Sequence, residues 1–450
     1  MPPAPPPSPL HELPFCGPQP VARRSVAKPS YIPCGPLSRG GEVRTASGSD
    51  GFGMVASSSD DLSFVRPINR GAHSIVHLVL DRTEQRYSAL KVLSKERLAR
   101  AGAHAGQAVM REKQALMALQ PHPFIASLHA TFQDDLQLFM LLQLGLGGDL
   151  RGVLLRQRRL CSPSDDRLCG ALGSAAVQYY AAALTLALSH VHARGFAHRD
   201  LKPDNVLLDA AGHPLLCDFG SAVRLAPRGR CMSLTCTIEY ASPEQLEGRG
   251  CTAATDWWSL GVLLLEALGG KTPFASGDDD DPSSTLASIR AFGVGSPLLQ
   301  GLAPTSIALL ADALLQHDDK RRAAACLGVR SHAFFDGIDW AALRERRLLP
   351  PHEPALLGAA DTRNFWHASL DEPDAARIGA GLVATAGAGI PVSEGVARDE
   401  EELGGVPPEL GATGKRNQRK RARRGVLGES KGEGELERDV TARVDWWADF

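Results

Sequence analysis

The chain has 450 residues, 43% of them hydrophobic, and a formal net charge of -2. That length accommodates two or three domains of about 150 residues and a sizeable core. Near-neutrality excludes a global pull toward nucleic acid or anionic membranes and leaves only local charge to be informative. Nine scattered cysteines form no CxxC pair, so neither a disulfide scaffold nor a zinc module is expected, and a reducing compartment is. No apolar run reaches the roughly 18 residues that span a bilayer. No secretory core is visible, and Pro2 stands where N-myristoylation needs glycine, so the expectation is a soluble, cytoplasmic chain with no transmembrane segment.

In chain order, residues 1–60 are rich in Pro, Gly and Ser, carry few aromatics and show no sustained period, which predicts a disordered extension. The stretch is also poor in acidic residues and carries Arg23, Arg24, Lys28, Arg39 and Arg44, so an organellar transit peptide is the minor alternative, with no obvious amphipathic helix behind it. Structure is expected from Leu62. Phe64-Val65-Arg66-Pro67-Ile68 leads into Asn69-Arg70-Gly71-Ala72-His73-Ser74 and an alternating Ile75-Val76-His77-Leu78-Val79, the pattern of a hairpin. Residues 89–93 read as a strand, 107–119 as a helix with Leu116 packed inward, and 138–142 as a buried strand. His122-Pro123-Phe124-Ile125 and the stretch 130–134 punctuate two more strands. Residues 175–194 carry apolar side chains at helical spacing and stop at Gly195, while 161–173 suggest no function. A strongly apolar helix opens at 255–262, where Asp256 must find hydrogen-bond partners. The acidic run Asp278 to Asp281 is by default a solvated loop, with attraction for basic substrates as the alternative. Residues 370–440 read as a flexible linker. Its basic run, 415–424, stays open between a solvated stretch, a nuclear-localisation signal that would extend the location to the nucleus, an anionic-surface patch and a pseudosubstrate.

One stretch carries most of the chemistry: His198-Arg199-Asp200-Leu201-Lys202-Pro203-Asp204-Asn205, with Asp218-Phe219-Gly220 a short interval downstream. Asp200 can orient a substrate hydroxyl and accept its proton, Lys202 can screen a migrating phosphoryl group, and Asn205 with Asp218 offers the hard oxygens that magnesium takes. Phosphoryl transfer needs little covalent help, so its machinery is a constellation of positioned charges. Arg199 is suited to pair with a phosphate on a downstream loop. An ordinary solvated loop would not carry these eight residues in this order ahead of Asp-Phe-Gly.

These residues resemble the catalytic and magnesium-binding loops of eukaryotic protein kinases. The resemblance implies an α+β, two-lobed protein kinase fold: a small N-lobe β-sheet with one helix, called αC in the family, and a larger, mainly helical C-lobe. It implies ATP and Mg2+ as cofactors. It assigns nucleotide binding to the loop Asn69, Arg70, Gly71, Ala72, His73 and Ser74, in which Asn69 and Ser74 replace two of the usual glycines. It further assigns Val76, Ala89 and Leu207 to the base, Gln143 to Gly145 to the hinge, Leu142 to the gatekeeper position, and Asp149 to the ribose or a substrate arginine. Lys91 and its partner Glu112 join Asp200 and Lys202 as the catalytic set, with Asn205 and Asp218 as metal ligands. Asp256 would tie down the catalytic loop, and Glu244 with Arg322 would form a structural ion pair. In the stretch from Ser233 to Tyr240, Ser233 takes the phosphorylation position, which implies an upstream activating kinase, and Thr237 lies near Asp200. Cys236, Ile238 and Ser242 replace the family's glycine, proline and alanine, and Val223 replaces a cation, leaving Arg199 and Arg224 to hold a phosphate. Leu234, Ile238 and Ala241 would line a pocket for the residue after the acceptor.

Beyond residue 335, Asp361-Thr362-Arg363-Asn364-Phe365 and the final Asp445-Trp446-Trp447-Ala448-Asp449-Phe450 resemble the C-terminal extension of the AGC group of serine/threonine kinases. The implication is that Phe365 inserts beside the nucleotide, that the final motif docks on the N-lobe behind αC, and that the cAMP- or cGMP-dependent type is the nearest relative. The expected order is an extension over 1–60, a catalytic domain over 61–335, an AGC-type tail over 336–369, a linker over 370–440 and a hydrophobic motif over 441–450. Asp149, Asp204 and Thr237 match substrate-contacting positions, implying protein substrates with arginine near the target serine or threonine. A pseudokinase acting as a nucleotide-binding scaffold is the alternative raised by the degraded glycine loop. A nucleic-acid binder acting through the basic run is a second, and the neutral charge argues against an obligate nucleic-acid partner. No cyclic-nucleotide-binding module is visible, so control by a separate regulatory subunit stays open.

Overall fold

The computed structural model describes residues 43–44, 61–71, 73–160, 172–226, 229–233, 235–274, 282–365 and 450. Ala72, Leu234, the acidic run 278–281, the linker with its basic run, and residues 445–449 lie outside the described residues.

Six antiparallel strands form the first layer: β1 (Val43–Arg44), β2 (Leu62–Arg70), β3 (Ser74–Asp81), β4 (Arg86–Ser94), β5 (Leu128–Gln133) and β6 (Gln137–Leu142), in the order β1-β5-β6-β4-β3-β2. Pro67 is tolerated in β2 because that strand is the sheet edge, and the β2–β3 register slips on either side of it, between Phe64 and Arg66 and between Pro67 and Asn69. Alternation then sorts side chains to two faces. Leu62, Val79, Leu90, Val92, Phe132 and Phe139 pack on one, while Ile68, Leu78 and Ala89 pack on the other. Two expectations need correction. Ala130 to Gln133 lies inside β5 rather than punctuating it, since β-branched and aromatic residues there fit a pleated surface. Val43–Arg44, within the stretch expected to be without structure, pairs with Phe132 and Thr131 as the edge strand β1.

Two helices cross from β4 to β5. Ser94 caps α1 (Lys95–Ala101) by accepting from the Arg97 amide at 3.3 Å. Next, α2 (Ala103–Leu119) buries Val109, Glu112, Lys113, Ala115, Leu116 and Leu119. This helix starts earlier than its periodicity signals, because Ala103-His104-Ala105-Gly106 carries no apolar stripe of its own.

The second, helical layer is built on α3 (Leu150–Leu160), α4 (Ser174–Ala193) and α6 (Ala254–Gly269), with α5 (Pro243–Leu246) between the last two. Fifteen of the residues of α6 are buried, from Ala254 through Leu268, so it is the central post of this lobe, and each Leu, Val or Trp it hides contributes about 1.5–3 kcal/mol. A buried ion pair between Glu244 and Arg322, both 0% exposed, braces it, and the Arg322 guanidinium also donates to the carbonyls of Ala254 and Gln316. Short strands lie where the layers meet: β7 (Gly148–Asp149), β9 (Val206–Leu208) and β10 (Pro214–Leu216) form one sheet, and β8 (Phe196–Ala197) pairs with β11 (Val223–Arg224). No helix among the described residues is long and apolar enough to cross a membrane.

Candidate active site

The β2–β3 turn opens the site. Gly71 donates its amide to Ser74 O at 2.9 Å, and a Cβ at Gly71 would fall 2.9 Å from Ser74 Oγ, so a side chain there would have to displace the serine hydroxyl. Asn69 Oδ1 accepts from the Arg70 amide at 2.7 Å, and His73 and Ser74 are half-buried. Behind the turn, Lys91 on β4 reaches Glu112 on α2 with both carboxylate oxygens in range, at 2.7 and 2.6 Å. Burial works against the Lys91 charge, but Glu112 and Asp218 outweigh it and hold the ammonium well above the ordinary lysine value. At Glu112 burial raises the carboxyl above its ordinary value, against the pull of the Lys91 charge.

The predicted base-binding residues come together around the second face of the sheet. Ala89 packs with Ile68 and Leu78, and Val76, Leu142, Leu144 and Phe365 pack against them. Gln143 is tied twice to Ser127, through its amide at 2.8 Å and its Oε1 at 3.2 Å. A Cβ on Gly145 would sit 2.8 Å from the Leu207 Cβ, so β9 lies directly on the hinge. Gly148 has φ of 77°, a backbone that favours glycine, and Asn364 packs where its side chain would be. Asp149 caps α3 by accepting from the Gly152 amide at 2.7 Å.

Asp256 organises the catalytic stretch from below. Its carboxylate accepts from the amides of His198 and Arg199 at 2.9 and 2.8 Å and meets His192 Nε2 at 2.7 Å. Burial opposes its charge, yet these donors keep its pKa below the usual carboxylate value. Arg199 has φ of 70°, left-handed for a residue that is not glycine, and the two hydrogen bonds to Asp256 hold it there. Asp200 consequently faces the cleft, where Asn205 Nδ2 donates to its carbonyl at 2.7 Å and to its Oδ2 at 3.1 Å. Lys202 Nζ lies 3.1 Å from Asp200 Oδ2, and Thr237 donates its amide and hydroxyl to Asp200 Oδ1 at 3.0 and 2.7 Å. Lys202 Nζ also reaches Thr237 Oγ1 at 2.7 Å.

Asp218 adopts a left-handed backbone, φ 58°, and accepts from the Gly220 amide at 3.4 Å. Water reaches its carboxylate from the cleft although protein surrounds it. That enclosure raises its pKa, but Lys91, His198, the Gly220 amide and Lys202 together hold it below the ordinary aspartate value. The donor set fits magnesium: an ionised carboxylate at Asp218 and, since the Asn205 nitrogen is spent on Asp200, a hard carbonyl oxygen at Asn205.

Sequence reasoning missed two arginines. The first is Arg111 on α2, which lies close enough to Arg199 that the two charges repel, and which donates to Gly220 O at 3.4 Å. Arg199 itself donates to Ser233 O and Oγ at 2.9 and 3.2 Å. Arg199 thus reaches Ser233 directly, whereas Arg224, expected beside it, is exposed and stacks on Phe196 at 5.8 Å. The second is Arg151 in the first turn of α3, 3.3 Å from Asp204 and paired with Glu266. Neither residue belongs to a local motif, since their partners lie far along the chain. Finally, Phe450 is fully buried between α2 and β5, with its carbonyl accepting from Lys113 Nζ and from Thr131 Oγ1, the latter at 3.1 Å.

Comparison with known proteins agrees with this geometry. Residues 62–335 match the protein kinase domain family. Human cAMP-dependent protein kinase catalytic subunit PRKX is 34% identical over 68% of this chain and 81% of its own length. Zebrafish serine/threonine-protein kinase Sgk1 is 31% identical over 71% of this chain and 70% of its own length. A probable serine/threonine-protein kinase of Dictyostelium discoideum is 31% identical over 67% of this chain, and the match spans 62% of that relative. With its matched domain, its two-lobed α+β fold and these relatives, the chain belongs to the protein kinase family, in the AGC group of serine/threonine kinases.

Proposed function

We propose that the chain transfers the γ-phosphate of ATP to serine or threonine hydroxyls of proteins, with arginine-containing substrates as the finer preference. The observation that carries this reading is the closed Lys91–Glu112 ion pair, at 2.6 Å, in the same cleft as Asp200, Asn205 and Asp218. A scaffold that only bound nucleotide would have no use for an aligned proton acceptor. Asp200 orients the incoming hydroxyl through its carboxylate and takes its proton. Lys202, within 3.1 Å of that carboxylate, screens the charge on the group in flight. Lys91 holds the donor phosphates, and Gly71 lets the backbone of the turn approach them. Asn205 and Asp218 would hold magnesium, which would supply positive charge against the triphosphate. The apolar cluster of Val76, Ala89, Leu142 and Phe365 takes the base.

In this reading the C-terminal segments form an AGC-type tail, supported by Phe365 in the nucleotide-side cluster and Phe450 buried behind α2. Phosphorylation of Ser233 by an upstream kinase would pair the new charge with Arg199, which already donates to Ser233, and fix the loop. Cyclic-nucleotide control through a separate subunit is a subtype property that PRKX names for itself and Sgk1 does not, so the reading stops at the AGC level. The location is cytoplasmic, extending to the nucleus through the basic run. The test is transfer of labelled phosphate from MgATP to a serine peptide by wild type and Asp218→Asn. Loss in the variant supports the proposal. A wild type that is inert even when Ser233 is phosphorylated replaces it with the pseudokinase.

A further inference from the structure

Arg151 is the first helical arginine after Asp149, and its guanidinium is spent entirely inside the chain. One arm pairs with Glu266 on α6, Nε lies 3.3 Å from Asp204 Oδ2, and the other arm donates to the Tyr240 hydroxyl. Tyr240 in turn donates to Glu266 Oε2, and Thr272 donates to Glu266 Oε1 at 3.1 Å. Both oxygens of Glu266 are therefore occupied, and its side chain is only 4% exposed. Asp204, at 38%, is the one carboxylate of the cluster that a solute can reach.

The location gives this cluster a consequence. Asp204 stands in the turn Pro203–Asn205 next to a metal-site residue, and Tyr240 ends the turn Ile238–Tyr240 that follows Thr237, which bonds Asp200. The cluster is thus built on the two segments that flank the acceptor hydroxyl. Two carboxylates there would form a strong site for a guanidinium, because bidentate, charge-assisted hydrogen bonds are selective for arginine. In this chain an arginine already sits in it.

We propose that Arg151 is a specificity-determining residue: it occupies the arginine-reading site from within, so that the carboxylates of Asp204 and Glu266 select substrate arginine weakly. This rests on the transfer reading above and narrows its arginine preference. A substrate arginine meets one residual carboxylate, shared and half in water, and such exposed pairs change a rate no more than about fivefold.

The experiment uses the full chain and a set of serine peptides in which a single arginine is moved through the positions preceding the serine, against an arginine-free reference. In wild type the gain in kcat/KM attributable to Asp204, read as the change on Asp204→Asn, stays within about fivefold at every position. Arg151→Gln raises the gain to about twentyfold or more at one position, a second substitution Asp204→Asn removes it, and Arg151→Lys, which keeps the cation and serves if the glutamine variant does not fold, stays near wild type. The proposal is overturned if wild type already shows a twentyfold gain that Asp204→Asn abolishes, or if Arg151→Gln leaves every gain unchanged. Binding of fluorescent versions of the same peptides gives a readout that needs no turnover. A binding contrast between wild type and Arg151→Gln without transfer keeps the Arg151 assignment and sinks the proposed function, whereas transfer without the contrast does the reverse.

Discussion

Replacing Asp256 by alanine tests the strongest local argument in the structure. The substitution leaves the amides of His198 and Arg199, now 2.9 and 2.8 Å from a carboxylate, without an acceptor in a fully buried place. Each orphaned buried donor costs about 1–3 kcal/mol. Loss of the His192 contact, 2.7 Å away, adds to this, so destabilisation of about 3–5 kcal/mol is expected. For a domain of this size that is a fall in Tm of roughly 6–15 °C, read by calorimetry. The kinetic effect should be larger in proportion, because Arg199 loses what holds its left-handed backbone, at a strain of about 1–3 kcal/mol, next to Asp200. A fall in kcat of about a hundredfold is the expected result. Asp256 also fixes the pH window of the comparison. Its folded pKa is depressed, so its contribution is fully present above the ordinary carboxylate value and disappears as pH falls through the lower folded one. Wild type and variant should differ fully at pH 7 and converge in acid. A Tm loss under about 2 °C with kcat within threefold of wild type would refute the reasoning.

Three further outcomes follow from the same geometry. Lys91→Met leaves Glu112, 4% exposed, as an unpaired buried carboxylate; transfer should vanish, and a double-mutant cycle with Glu112→Gln should show coupling of about 2–4 kcal/mol in thermal stability. Phe450→Ala opens a cavity against α2 and should lower stability by about 3 kcal/mol and raise the KM for ATP several-fold, with unchanged kinetics as the contrary result. Burial lowers the pKa values of His77, His122 and His129 to about 4. These rings resist protonation only when folded, so stability should be full above pH 6.5 and fall as pH drops from 6.5 toward 4. A denaturant midpoint that stays flat from pH 7 to 4.5 would contradict this.

What could be read in the sequence was local or periodic. The string from His198 to Asn205, the Asp-Phe-Gly triplet and the hairpin alternation at 75–79 each contain their own pattern, and the pairing of Lys91 with Glu112 was accessible only through the resemblance to protein kinases. The apolar helix around Trp257 and Trp258 was also legible, since a run that is hydrophobic on every face has to be a core element. Arg151 and Arg111 were not, because an arginine on a helix looks solvated until its partners arrive from distant segments; Glu266 is 115 residues away from Arg151. The early start of α2 was hidden by the lack of an apolar stripe, and β1 by its two-residue length.

The glycines at 147, 148 and 212 form a groove whose filler is the chain's own later segment: Pro354 packs on Gly147, Asn364 on Gly148 and His352 on Gly212, and Asn364 donates to the Leu146 carbonyl at 3.2 Å across 218 positions of sequence. The consequence concerns order of assembly. During synthesis the hinge emerges well before the residues that complete it, and Phe365, which closes one wall of the cleft, arrives only after the whole helical lobe. The cleft is therefore finished last, through contacts of high sequence separation, which form slowly. A nascent or truncated chain ending before residue 365 presents the groove and the apolar wall unfilled, a surface suited to a chaperone.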